Sequence, residues 1–269
     1  MTKTTTLALL ALACLLAMPS LAQARYSDGM NLYEYISSNP ANSVDPSGLW
    51  KIHREGNDRA NAEAEQGDTV ASLAGPAGFC VSEWPLVVEF ESIRAEGGQK
   101  TKQELAAEDR ICAGEIVTVP NVVYWSEGRP GPSLWHGGFN QQEYNKTWGQ
   151  MQNTVKYWQK EGFRVIHNDD IFWTVTWKDT YGQIFIGHGW MNQGKYEGAI
   201  IQMDGTFMDA EMLWRRAHHK LAWLHLVACG TAKDKWEMAV ANTGSVRLYD
   251  DKVSKPEETG VTRQGTGCK

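Results

Sequence analysis

Two short apolar runs, each ending abruptly in a reactive side chain, constrain the fold of this 269-residue chain more than any other feature. Residues 184–186 lead into His188 and Gly189, and residues 224–228 lead into Cys229. A short apolar run bounded by small residues is typical of a buried strand in a parallel sheet. Because the carboxyl ends of parallel strands meet at one edge of the sheet, we expect His188 and Cys229 to lie together there.

A histidine beside a cysteine is the minimum set of side chains needed for nucleophilic catalysis by a thiol. In such a pair the Cys229 thiolate attacks a carbonyl carbon, and His188 protonates the leaving amine. The small residues around both side chains let a substrate backbone approach and leave amide N–H groups to bind an oxyanion. The sequence therefore predicts a cysteine peptidase that acts on a peptide or protein substrate.

From residue 141 onward the pattern alternates between helices and strands. This alternation predicts an α/β fold, a three-layer sandwich with helices packed on a mainly parallel sheet. Helices are predicted over 141–161, from Asp170 through Trp177, over 209–218 and over 232–241. Strands are predicted near 163–166, 183–186, 199–203, 223–228 and 245–249.

The order and spacing of the two motifs resemble those of the caspase-like fold, and within it the CHAT and gingipain-like peptidases. The resemblance covers residues 141–251 and implies that His188 and Cys229 form the catalytic dyad. It also implies that the backbone amides of Gly189 and Cys229 are the oxyanion donors. The helix predicted after Cys229 would lower the pKa of its thiol. Since a cysteine at a strand end is often only a small buried apolar residue, an inactive scaffold of this fold is the alternative.

The first 24 residues have the pattern of a secretory signal peptide. Lys3 supplies the charged start, residues 7–16 the apolar stretch, and residues 22–24 the small-residue cleavage site. The apolar stretch is too short for a comfortable membrane span, so no transmembrane span is expected after signal removal. We predict a secreted or periplasmic protein, with a retained membrane anchor as the alternative.

Residues 25–50 are polar, turn-rich and aromatic, and they contain Asn39-Pro40 and Asp45-Pro46 turn signals. This segment resembles the C-terminal end of the RHS repeat-associated core domain, which precedes variable and often toxic domains. The shell of that family is absent and a signal peptide stands in its place. The encapsulating role therefore does not carry over, and a remnant left by recombination is the simpler interpretation.

Residues 60–120 predict a strand, two short helices and a second strand. A Gly-Asp turn precedes a helix that Asp68 or Thr69 can cap, and residues 111–120 alternate like a strand. This layout resembles a LysM module, which implies a small α+β fold and peptidoglycan as a bacterial cell-wall partner. A charged insertion over 89–109 departs from the family. The Gly-, Pro- and Ser-rich stretch over 121–140 is predicted to be a linker, and residues 252–269 a C-terminal tail.

Four cysteines remain after signal removal, and an oxidising compartment favours disulfides among them. Cys80 and Cys112 lie in one predicted module and are the expected pair. Cys229 must stay a thiol to act as the nucleophile. Cys268, in the predicted tail, is then expected to have no disulfide partner. A Cys229–Cys268 disulfide is the alternative that would exclude catalysis.

Two acidic residues and a pair of histidines carry weaker signals. Asp204 or Asp209 could line a pocket for a basic substrate side chain, but a turn or a helix cap explains each of them. His218 and His219 invite a metal site with His188. Adjacent histidines point to different faces of a helix, however, and the chain has no zinc-binding spacing. We therefore predict neither a metal nor another cofactor.

The leading hypothesis is a secreted caspase-like cysteine peptidase that a LysM-like module holds near the cell wall. Two rivals remain open. One is a non-catalytic peptidoglycan-binding protein with an inactive caspase-like scaffold, and the other is a toxin-like effector derived from an RHS protein. The net charge of −6 argues against a nucleic-acid-binding protein, which would usually present a basic surface.

Overall fold

A small antiparallel sheet, two short helices and a hairpin make up residues 50–120. The computed structural model of the protein describes residues 50–128, 141–250 and 260–268. The first elements are β1 (Lys51–His53), β2 (Arg59–Glu63), α1 (Val70–Ala74), α2 (Trp84–Val87), β3 (Ser92–Ala95), β4 (Gly98–Thr101) and β5 (Ile116–Pro120). β2 pairs antiparallel with both β1 and β5, and β3 pairs with β4.

The order strand, helix, helix, strand is therefore present between β2 and β5. The hairpin of β3 and β4 lies within the predicted charged insertion, where residues 92–95 and 98–101 pair as antiparallel strands. Thr69 caps α1 as predicted, because its hydroxyl accepts a hydrogen bond from the Ser72 amide at 3.1 Å. The Ser72 hydroxyl accepts in return from the Thr69 amide, which completes a capping box.

A six-stranded sheet occupies the centre of the remaining chain. Its strands and the elements between them are β6 (Val122–Glu127), α3 (Gln141–Lys160), β7 (Arg164–His167), α4 (Ile171–Thr174), β8 (Thr180–Ile186), β9 (His188–Gly189), β10 (Ile200–Ile201), β11 (Phe207–Met208), α5 (Ala210–Arg216), β12 (Leu221–Val227), β13 (Val240–Tyr249) and β14 (Gly260–Gln264). The order across the sheet is β7-β6-β8-β12-β13-β14. All neighbours are parallel except β13 and β14. The prediction of an α/β fold with a mainly parallel sheet is confirmed.

Alternate side chains of each strand pack on opposite faces of this sheet. On one face Ile184 and Val227 lie in a core cluster with Met151 of α3. On the other face the sheet packs against α4 and α5, and the buried residues there include Ile171, Phe185, Leu213, Leu224 and Leu226. The two apolar runs of the sequence are buried because both faces of their strands are covered.

A buried polar network connects three elements inside the second face. The Thr174 hydroxyl of α4 donates to Gln183 Oε1 at 2.8 Å, and Gln183 Nε2 donates to Ser126 Oγ at 3.1 Å. The same nitrogen also donates to the Ile184 carbonyl at 3.0 Å. Gln183 thus ties α4, β8 and β6 together while its own polar atoms are satisfied.

The predicted linker is wrong for residues 122–127, which form β6 between β7 and β8. The Gly and Pro residues that suggested a linker come after residue 127, whereas Val122 to Trp125 is an apolar run. Residues 129–140 lie outside the described part of the chain. The predicted tail is also wrong in part, since residues 260–264 form β14, the antiparallel edge strand.

The disulfide joins Cys80 to Cys268, and the predicted Cys80–Cys112 pair is wrong. The two Cα atoms are 5.4 Å apart, because the residues after β14 return to the turn that precedes α2. Cys112 and Cys229 carry thiols. The alternative Cys229–Cys268 disulfide is excluded with the same observation.

Residues of the two predicted domains share one core. Phe79 packs edge-on against Tyr181 of β8, and Ala222 of β12 belongs to the core cluster of the first sheet. All described residues lie in one compact unit. No helix in this part of the chain has both the length and the apolar character needed to cross a membrane. The predicted signal peptide and the RHS-like segment, apart from Trp50, lie outside the described residues.

Two buried histidines predict how stability depends on pH. Burial lowers the pKa of His219 to about 4 and that of His225 to about 3. The ordinary pKa of a histidine is about 6.5. Below that pH the two side chains take up protons in the unfolded chain but stay neutral in the folded protein. Their contribution to stability is therefore fully present above this pH and declines as the pH falls toward about 4, by up to about 2.7 kcal/mol per pH unit.

Urea unfolding at pH 7, 6 and 5 measures this decline. His219→Gln is expected to reduce the change of the free energy of unfolding with pH by about 1.4 kcal/mol per pH unit, the contribution of one proton. His53→Gln changes an exposed histidine and is expected to leave this slope unchanged. A free energy of unfolding that stays constant between pH 7 and pH 5 would contradict the prediction.

Candidate active site

The candidate site lies at the carboxyl ends of β8 and β12, which are neighbours in the sheet. The two strands pair in parallel over five residues, and the last pair is Ile186 with Val227. One residue beyond this pair, the Gly187 amide still donates to the Val227 carbonyl at 3.2 Å. His188 and Cys229 follow at the same edge, as the sequence predicted.

Gly189 brings the backbones of the two motifs into direct contact. A Cβ atom on residue 189 would lie 1.9 Å from the Cys229 carbonyl oxygen and 3.1 Å from the Cys229 nitrogen. Only a glycine permits this approach. The amides of residues 189 and 229, which were predicted as oxyanion donors, therefore lie in one small region.

After β8 the chain leaves the central sheet. His188 and Gly189 form β9, which pairs with β10 and belongs to a separate three-stranded sheet with β11. The strand predicted near 199–203 is therefore a short strand of this second sheet and not of the central one. Met191, just after β9, lies close to Gly230, since its Cγ would be 3.0 Å from a Cβ atom there.

Both candidate catalytic side chains are partly exposed, although the strands that lead to them are buried. Cys229 carries a thiol. Burial lowers the pKa of His188 below its ordinary value of 6.5. A neutral imidazole is the form that accepts a proton, so His188 is suited to act as a base near neutral pH.

The turn after Cys229 is fixed by Thr231. The Thr231 hydroxyl donates to the Ala228 carbonyl at 3.1 Å and accepts from the Tyr249 amide at 3.1 Å. Gly230 has a φ of 70°, a left-handed conformation that suits glycine. These contacts hold the backbone on either side of Cys229 against the end of β13.

The helix predicted over 232–241 is wrong. The chain forms two short 3-10 turns, Thr231–Lys233 and Trp236–Ala239, and β13 begins at residue 240. The Asp234 carboxylate accepts from the amides of Ala210 and Lys235, which holds the backbone in a non-helical course between the turns. No helix N-terminus is therefore present at this point to lower the pKa of the Cys229 thiol.

A second group of ionisable residues lies at the same edge and was missed in the sequence. Glu127 ends β6 in register with Ile186, and His167 ends β7. His167 Nε2 lies 2.7 Å from Asp169 Oδ1 and 3.9 Å from Glu127 Oε1. The signal was present, because residues 122–125 are an apolar run like residues 184–186. The Gly and Pro residues that follow residue 127 favour a linker and obscure this strand pattern.

The weaker sequence signals have structural explanations. The Asp209 carboxylate caps α5 by accepting from the Met212 amide at 2.8 Å, and Asp204 accepts from the Thr206 amide in a turn. His219 is buried against Phe79. Across residues 50–128, 141–250 and 260–268, no group of three or more histidine, cysteine, aspartate or glutamate side chains is placed to hold a metal ion.

Gly189→Ala is expected to displace the Cys229 backbone, because the new methyl group meets backbone atoms that have no room to move. We predict that alkylation of Cys229 by iodoacetamide slows, by up to about 100-fold, the loss that a displacement of about 1 Å can cause at an active site. Gly149→Ala is the matched control, since a Cβ atom there meets nothing within 4 Å. Wild-type reactivity in Gly189→Ala would show that the close approach is not needed.

Comparison of the chain with models of known protein families gave no match, and comparison with curated protein sequences gave none either. The functional assignment therefore depends on the positions of the residues themselves. The decisive positions are the carboxyl ends of β8 and β12. The two strands pair in register, and His188 and the Cys229 thiol come just after their last residue pair.

Proposed function

We propose that this protein is a secreted cysteine peptidase of caspase-like fold, with Cys229 as nucleophile and His188 as general base and acid. One observation carries the proposal. Two neighbouring parallel strands end in register, one leads into His188 and the other into Cys229, and the backbones of Gly189 and Cys229 touch. A mainly parallel sheet with helices on both faces is the architecture that the caspase-like assignment requires.

The proposed reaction begins with neutral His188, which accepts the proton of the Cys229 thiol. The thiolate sulfur attacks the carbonyl carbon of the scissile peptide bond, and the amides of Gly189 and Cys229 bind the oxygen as it becomes negative. The C–N bond then breaks, and His188 gives its proton to the leaving amine. Water, deprotonated by His188, hydrolyses the thioester and releases a carboxylate and the Cys229 thiol.

Residues 60–120 are proposed to be a LysM-like module that binds peptidoglycan. The support is the strand–helix–helix–strand order, with the outer strands β2 and β5 paired antiparallel. The signal-peptide pattern and the Cys80–Cys268 disulfide favour an oxidising location outside the cytoplasm. Glycan binding by this module would keep the peptidase at the cell wall.

One observation favours a second candidate, a non-catalytic wall-binding protein. The segment after Cys229 is a three-residue 3-10 turn, so the thiol lacks the helix N-terminus that would favour its thiolate. The effector alternative rests on residues 25–50, nearly all of which lie outside the described chain.

Cleavage of a fluorogenic peptide library by the purified mature protein tests the proposal. We expect Cys229→Ala to abolish cleavage and His188→Ala to slow it by about 100- to 10,000-fold, the usual range for loss of a general acid–base group. Cys112→Ala removes the other thiol and is expected to keep wild-type activity. Cleavage that persists in Cys229→Ala would remove Cys229 as the nucleophile, and a library that the wild type leaves intact would favour the non-catalytic candidate.

The pH profile of kcat/KM provides a further prediction. Because burial lowers the pKa of His188, its neutral form persists to a lower pH than that of an ordinary histidine. The acid limb of the profile is therefore expected to inflect below about pH 6.5. An inflection above that value would assign the essential base to a different group.

A further inference from the structure

The C-terminal strand β14 contacts the segment that follows Cys229. Arg263 Nη2 donates to the Ala232 carbonyl at 2.6 Å, and Arg263 Nη1 lies 3.6 Å from Glu237 Oε2. The Thr266 amide donates to the Glu237 carbonyl at 2.8 Å. The Ala232 carbonyl is only three residues beyond Cys229. Arg263 reaches it from β14, which is separated from β12 by β13 in the sheet.

β14 is an edge strand, so a strand neighbour holds it on one side only. Five residue pairs join it to β13, and beyond it the Gly267 amide donates to the Val240 carbonyl at 2.8 Å. Its last attachment is the disulfide from Cys268 to Cys80. An edge strand without such an anchor frays more readily than the strands inside a sheet.

The disulfide anchors this strand to a different part of the chain. Cys80 precedes the 3-10 turn at Val81–Glu83, and the next residue back, Phe79, packs in the shared core against Tyr181. The bond therefore fixes the end of β14 to a well-packed point. Cutting it leaves Arg263 on a strand held only by its pairing with β13 and the hydrogen bonds beyond it.

We propose that the Cys80–Cys268 disulfide and Arg263 form a redox-dependent brace that holds the Cys229 turn in its reactive geometry. Arg263 is in this account a positioning residue, which acts through Ala232 and Glu237. The effect of the brace on catalysis rests on the proposed function, because it requires Cys229 to be the nucleophile. The brace itself is a property of the fold and is measurable separately.

The redox step is an exchange with an external dithiol. Two electrons and two protons pass to the sulfur atoms of Cys80 and Cys268, the S–S bond breaks, two thiols form, and the dithiol becomes a disulfide. Cys229 takes no part and stays a thiol. The peptidase is thus most active where Cys229 is reduced and the brace is oxidised, and it is weakly active in a reducing cytoplasm before export.

Three variants of the full mature protein test the brace. The double variant Cys80→Ser with Cys268→Ser removes the disulfide, and Arg263→Gln removes the ion pair and the guanidinium donors while the disulfide remains. Arg94→Gln is the matched control, because it also breaks an arginine–glutamate pair, with Glu115, away from the site. Circular dichroism melts identify a temperature at which every variant is folded.

The first readout is hydrogen exchange of peptides that cover residues 229–239, and the second is the rate of Cys229 alkylation across pH. We expect faster exchange in this segment for the double variant and for Arg263→Gln. We also expect alkylation to slow by about tenfold or more, with its pH profile moved toward that of an unassisted thiol. Cys112 serves as the internal reference thiol.

Unchanged exchange over residues 229–239 in both variants, with alkylation within about twofold of wild type, would overturn the brace. A failure of the proposed function has a different signature. In that case exchange over this segment rises in both variants, while the wild-type alkylation rate does not depend on His188 and no peptide is cleaved. That result would support the brace as a structural device and would remove its catalytic consequence.

Discussion

The parallel pairing of β8 with β12 determines the positions of His188 and Cys229 at the candidate site. Five residue pairs set its register, from Gly182 with Trp223 to Ile186 with Val227. A slip by one residue would turn each buried side chain to the opposite face of a sheet that is covered on both sides. The close approach of Gly189 to the Cys229 backbone holds only in this register. The hydrophobic core therefore also sets the geometry of the proposed dyad.

The sequence was most informative where burial and local turn chemistry decide the structure. The apolar runs of β8 and β12, the helix α5 and the caps at Thr69 and Asp209 follow from such rules. The disulfide and the strand β14 depend on distant contacts, and local patterns did not reveal them. The Cys80–Cys268 bond spans 188 residues, and its partner becomes visible only once β14 is known to return to the sheet.

The segment after Cys229 shows how tertiary contacts override helix propensity. Residues 232–241 are rich in helix-forming residues, yet hydrogen bonds from Ala210 to Asp234 and from Thr266 to Glu237 fix a different backbone course. Both contacts come from elements far along the chain. The Thr266 contact joins this segment to the residues that follow β14. A correct prediction of the segment after Cys229 would have required the positions of α5 and β14.

The central claim is that His188 activates the Cys229 thiol. Its most direct test is a low-pH iodoacetamide titration of the folded mature protein, with each labelled cysteine mapped by mass spectrometry. The account predicts that Cys229 is labelled faster than Cys112, the other thiol, and that His188→Ala slows the labelling of Cys229 alone. Equal labelling of the two thiols, or a Cys229 rate that His188→Ala leaves unchanged, would contradict the claim.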